Sequence, residues 1–275
     1  MLGVLQRRLP DPHPARAGQK FARGRRPSVA GSNRLARRVR TYKLYLESSP
    51  QRKTTLVHVI ELLGCTANAK TTAAALEATP EAIVAYLRYL KRHGEDVDPG
   101  AAFRTRVAEH ITKGDFLGQG SPQAVYAPDL KPLSTTDLEK FLRWLEWSRA
   151  DLLRLVSGVG DRELHNEPER GRSLYNILRH VGETEPHYLT ASLGPVKSLT
   201  TAGNAIYHGR VEIREGLRVE RQLVIERLRA LTPEERRANR RTPRRTRTIR
   251  RSLRRTLEHE WEHRREIAAQ LDRAA

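Results

Sequence analysis

From Ser134 onward the apolar residues of this chain recur at helical spacing in four long stretches, and this constrains the fold more than any other feature. The first stretch covers about residues 134–159 and carries Leu138, Phe141, Leu142, Trp144, Leu145, Leu152, Leu153 and Leu155. The second starts at Ser173 and reaches about residue 192. The third covers about residues 205–231, with Val211, Ile213, Leu217, Val224, Ile225 and Leu228. Thr232-Pro233-Glu234-Glu235 then opens a short helix, with Thr as cap and Pro at the first position. The fourth stretch covers about residues 248–271. Four amphipathic helices of this length predict an all-α four-helix bundle over residues 134–275.

Two of these helices carry histidine beside their apolar stripe. With Leu257 at 0° on a helical wheel, His259 and His263 fall at roughly 200° and 240°, one turn apart on one face. With Leu174 at 0°, His180 falls at roughly 240° and His187 at roughly 220°. Packed together, the two helices aim His180 at the pair. Spacing alone fits a shared metal ion and a pair of surface histidines equally well. His187 reads as a spare ligand or, more simply, a surface residue. His259-Glu260-Trp261-Glu262-His263 also spells the H-E-x-x-H zinc-protease motif. That motif needs a third ligand, but position 269 is Ala, only twelve residues follow His263, and Glu266 lies on the same helix. A protease is therefore set aside. Glu185 falls inside the apolar arc of the second helix, and a buried carboxylate needs a partner. Two roles suit it: bracing a ligand histidine, or pairing with an arginine as a structural lock. Pro186 should bend the helix beside it. Glu183 and Glu260 are candidate proton carriers, and solvated carboxylates explain them equally well.

Leu178-Arg179-His180-Val181 with Glu185, and Leu257-Glu258-His259 with His263-Arg264, resemble the DinB-like superfamily. The resemblance covers about residues 134–275. It implies a four-helix bundle in which His180, His259 and His263 hold one divalent ion, zinc or nickel, at an open end. Thiol transfer and metal-assisted hydrolysis are the chemistries it implies, with a small-molecule substrate and a homodimer as further expectations. Arg172 and Arg247 stand before the second and fourth helices, where members of the family often carry Trp.

Upstream, residues 41–112 predict a small α+β domain. Residues 41–47 and 54–62 read as strands, and Gly64 as a turn. Residues 71–92 read as a helix capped by Thr71 or Thr72, closed by His93-Gly94 and interrupted at Pro80, which suggests two short helices. Residues 103–111 return as a strand. Leu62-Leu63-Gly64-Cys65, Thr71-Thr72-Ala73-Ala74-Ala75-Leu76 and Ala82-Ile83 resemble the HicB-like family, although Leu63 stands where that family usually has Pro. This implies a degenerate ribonuclease-H-type fold without catalytic acids and a protein-partner role. No helix-turn-helix accompanies it. The Gly- and Pro-rich residues 113–133 read as a linker.

The net charge of +19 is concentrated in two places. Residues 1–40 hold eleven Lys/Arg and one acid, and residues 236–255 hold eleven Arg and no acid, so the rest of the chain is close to neutral. Residues 1–40 read as a disordered basic tail, a transit peptide or a start assigned too early. The later run reads as the solvated face of a helix or as a non-specific nucleic-acid contact, without interleaved aromatics for base stacking. No stretch is long and apolar enough to span a membrane. With the single Cys65 and no secretory signal, this suits a cytoplasmic protein.

Overall fold

The computed structural model describes residues 39–49, 53–242 and 245–274, so the expectation of a disordered tail lies outside the described residues. Three strands come first: β1 (Arg40–Ser49), β2 (Thr54–His58) and β3 (Thr66–Ala69). Helix α1 (Thr72–Arg92) and strand β4 (Phe103–Ile111) follow. The sheet order is β3-β2-β1-β4. β1, β2 and β3 pair antiparallel, with Tyr45 opposite His58, and β4 runs parallel to β1 after the crossover through α1. β2 stops at His58, short of the expected residue 62, because residues 60–64 turn. Gly64 sits there at φ +102, and a Cβ on it would meet the Tyr86 hydroxyl at 2.6 Å. Thr71 caps α1 by accepting a hydrogen bond from the Ala74 N–H. Pro80 does not split the helix, which runs unbroken over 21 residues. Its buried face, with Ala75, Ile83, Tyr86, Leu87 and Leu90, outweighs the one backbone bond that Pro80 forfeits.

The helical region comprises α2 (Thr135–Leu155), α3 (Asp161–His165), α4 (Leu174–Leu193), α5 (Lys197–Tyr207), α6 (Ile213–Arg229), α7 (Pro233–Arg237) and α8 (Ile249–Ala274). A two-stranded ribbon, β5 (Asn239–Thr242) with β6 (Arg245–Thr248), precedes α8. Ser134, Ser173 and Thr232 cap α2, α4 and α7 through their hydroxyls. The third helix, expected from about residue 205, starts at Ile213 as α6, and its first expected residues instead end α5. The two are separated at Gly209, which has φ +63. The last turns of the first expected helix are instead a break followed by α3. The long helices α2, α4, α6 and α8 pack on one another, and α5 packs on α4 and α6. Gly182 allows that approach: a Cβ there would meet Ile206 at 2.8 Å. Pro186 lies inside α4, which runs unbroken from Leu174 to Leu193.

Residues 39–275 form one compact unit. Tyr42, Leu44 and Leu46 on one face of β1 join α1 and the long helices in a single core that includes Trp144, Leu257 and Trp261. Tyr86 meets Trp261 edge-on at 4.8 Å. On the opposite face, Tyr45 packs with Leu117, Ala124 and Tyr126. Residues 113–133 are therefore packed structure where the sequence suggested a linker; their many glycines serve tight turns. The Glu47 carboxylate, fully buried, accepts the backbone N–H groups of Gly120 and Ser121.

The charged centre of the helical region sets how its helices sit. Arg149 of α2 reaches Glu185 of α4 at 2.6 Å and Glu260 of α8 at 2.5 Å. Arg221 of α6 reaches the same two carboxylates at 2.8 and 2.9 Å. All four side chains are at most 5% exposed. Glu220 lies beside them, fully buried, with neither carboxylate oxygen in a hydrogen bond. Burial, then the neighbouring Glu185, pushes its pKa well up, against the pull of Arg149, which stands 3.7 Å away, and Arg221. A carboxyl whose folded pKa is raised loses stability as pH rises above the unfolded value of about 4.3. Glu220→Gln removes that loss, so its urea midpoint should gain on the native protein's as pH rises above about 5. Arg149→Ala strands buried carboxylates and should cost about 3–5 kcal/mol in the same assay.

Candidate metal centre

His180 is on the second turn of α4, and His259 and His263 lie on successive turns of α8 where the two helices pack. The His180 and His259 Nε2 atoms are 3.1 Å apart, as are those of His259 and His263. One ligand-capable atom from each of the three rings lies within 4.8 Å of the others. His259 is buried and the other two are half-buried, so the cluster sits at the edge of the helix packing.

The outer nitrogens of two rings are already committed. The Nδ1 of His263 is 2.6 Å from Glu266, a carboxylate that only accepts, so Nδ1 carries a hydrogen and Nε2 faces the other rings. Glu266 is held in turn by Arg172 at 2.9 Å. The Thr184 hydroxyl donates to the His180 carbonyl at 2.6 Å and lies 3.4 Å from His180 Nδ1. This favours the same tautomer there. Burial, with the charge of His263 and Arg172 nearby, lowers the His180 pKa to about 4. Burial and the Arg255 guanidinium hold His259 well below the usual histidine range. Both shifts favour the neutral imidazole at His180 and His259, the form that offers a lone pair to a metal.

The donor set fits a divalent ion. Nitrogens bound to zinc at about 2.0–2.1 Å with tetrahedral angles stand about 3.3 Å apart. The two edges of 3.1 Å are close to that spacing. A divalent cation at their centre would take one lone pair from each ring.

The other candidates stand elsewhere. Glu185 contacts Arg149 and Arg221, with no hydrogen bond to a histidine of the cluster. Glu260, read from the sequence as a candidate proton carrier or a solvated carboxylate, is instead buried. It is bound to the same two arginines, which lower its pKa to about 2. Glu183 is half-buried on α4, and no hydrogen bond or ion pair ties it to the cluster among the described residues. His187 is exposed and outside the cluster. Glu266 binds His263 Nδ1, and the i, i+3 spacing of the two residues is the sequence signal for that contact. Arg172 supplies the second member of that chain from the position where aromatic cover was expected.

The arginine run also changes meaning. Residues 251–261 of α8 are buried on every side, including Arg251, Arg254 and Arg255. Arg254 makes paired contacts at 2.8 Å with Asp129 and lies 2.8 Å from Glu258, which binds His58 of β2 at 2.9 Å. Arg255 binds Glu262, and Arg251 donates to the Ser121 and Ala124 carbonyls. This part of the run is not a solvated face.

A family model described as the DinB superfamily matches residues 145–267. Residues 145–267 are therefore similar to that superfamily. No curated protein and no solved structure matches the chain. No helix among the described residues is long and apolar enough to cross a membrane.

The burial of Arg254 separates two roles for the arginine run. Arg254→Ala leaves Asp129 and Glu258 without their cation and should lower unfolding stability by about 3–5 kcal/mol. At temperatures where the variant is folded, its retention on a heparin column should match the native protein's.

Proposed function

We propose that residues 134–275 form a DinB-type four-helix bundle that binds one divalent ion, zinc or nickel, through His180, His259 and His263. The observation that carries this reading is the convergence of three Nε2 atoms from two helices, with His263 turned toward the centre by Glu266. Three neutral imidazoles leave a position for water or substrate, as in catalytic rather than structural sites. A bound divalent ion lowers the pKa of a water or thiol toward neutrality, and this supports a metal-dependent small-molecule enzyme performing thiol transfer or hydrolysis. Around that position the chain's own groups act as follows. Glu266 orients His263 and can accept its Nδ1 proton, Arg172 holds Glu266, and Tyr188, with its ring 5.6 Å from that of His259, shields the buried side.

The same proposal reads residues 41–112 as HicB-like. The turn at Gly64, the short β3 and the helix capped by Thr71 support it.

Purified protein should carry about one metal ion per chain by elemental analysis, and His263→Ala should abolish it; a stoichiometry near zero in native protein sinks the reading. Glu266→Gln should fold normally and weaken metal affinity about 10–100-fold, the usual effect of removing a carboxylate that orients a ligand histidine.

A further inference from the structure

On the side of α8 turned away from the histidines, Arg264 and Arg265 form one wall of an open cleft of about 600 Å³. Arg92 and His93 at the end of α1 and Asp151 and Arg154 at the end of α2 complete its polar lining. Four guanidiniums therefore surround one carboxylate. Asp151 is saturated: it binds His93 at 3.0 Å, pairs with Arg154, and stands 3.5 Å from Arg264. Arg92 and Arg265 are exposed and make no ion pair among the described residues.

The cationic groups are also held in place. The Arg264 guanidinium lies over the rings of Tyr89 at 4.7 Å and Trp261 at 4.8 Å. Its Nη1 is buried and faces Asp151 Oδ2 at 3.5 Å, without a hydrogen bond. His93 stacks on Trp147, with ring centres 4.9 Å apart and planes at 15°. Like charges gathered in one concavity repel, and a single carboxylate leaves an excess of three. A cleft of this size suits a small ligand, and planar guanidinium forks match the oxygens of phosphate.

We propose that this cleft binds a small phosphorylated ligand through a phosphoryl group carrying at least two negative charges. Arg264 is the fixed donor, Arg92 and Arg265 close from the rim, and Asp151 keeps Arg154 and His93 in position. A monovalent carboxylate leaves most of the excess charge unmatched, which is why the phosphoryl class is favoured.

The test is calorimetric titration of the full chain with pyrophosphate, and separately with citrate, at constant ionic strength. The native protein should bind pyrophosphate saturably at one per chain. Arg92→Ala/Arg265→Ala, which alters only exposed side chains, should weaken it at least about tenfold. Arg264→Lys, which keeps the charge and loses the fork, should weaken it as well. Metal content should be the same in all three proteins, so failure of this site and failure of the metal centre read out separately. No saturable binding, or equal affinity in the double variant, overturns the proposal. Citrate binding more tightly than pyrophosphate overturns the phosphoryl assignment.

Discussion

Arg149 and Arg221 meet Glu185 and Glu260 where α2, α4, α6 and α8 come together, and the rest of the helical region depends on that meeting. A buried ion pair is a poor source of net stability, since desolvation offsets most of the attraction. Its value is in register. Apolar ridges allow a helix to slide or rotate by a residue at modest cost, whereas a slide that separates these groups leaves bare charges in the core. Glu185 is five residues beyond His180 on α4, and Glu260 directly follows His259 on α8. Aligning the two carboxylates on the same pair of arginines therefore also aligns His180 with His259 and His263. The geometry of the histidine cluster is inherited from an ion network one turn away.

The same helix extends this principle to the sheet. The first half of α8 is buried on every side, a position usually reserved for helices that are apolar all round. Here the polar faces are satisfied from three directions: the central network, Asp129 with the carbonyls of the 113–133 segment, and His58 of the sheet through Glu258. That is why residues 39–275 cohere as one unit although their sequence divides into a sheet module and a helical module.

What was legible in the sequence follows from the range of each interaction. Helix caps at Ser134, Ser173 and Thr71 and the facing of His180, His259 and His263 depend on positions within a turn or two, and 100° geometry suffices to place them. The burial of Arg251, Arg254 and Arg255 was not legible. The partners of Arg251 and Arg254 at Ser121, Ala124 and Asp129 are more than a hundred residues away, and an isolated arginine run with helical period looks solvated. Glu260 was misread for the same reason. The division between α5 and α6 was missed because apolar periodicity resumes after Gly209 with little change of phase. The Glu266 contact is legible in principle, because the two side chains lie three residues apart on one helix face.

The electrostatics of α8 bear on what chemistry the proposed centre could favour. A divalent ion there would keep its full charge, because its three ligands are neutral, and the nearest carboxylate, Glu266, is already shared with Arg172. Arg255 adds a further cation on the buried side of His259, although Glu262 offsets it. Such a centre favours anions at its open position, whether hydroxide or thiolate, more strongly than one built with carboxylate ligands. His263 and Arg264 are consecutive, so their side chains leave α8 about 100° apart, one toward the cluster and one toward the basic cleft. One helix thus presents positive potential on two sides while the bulk of the folded chain is close to neutral. That concentration, more than the overall charge of the protein, determines where a small anion would be drawn.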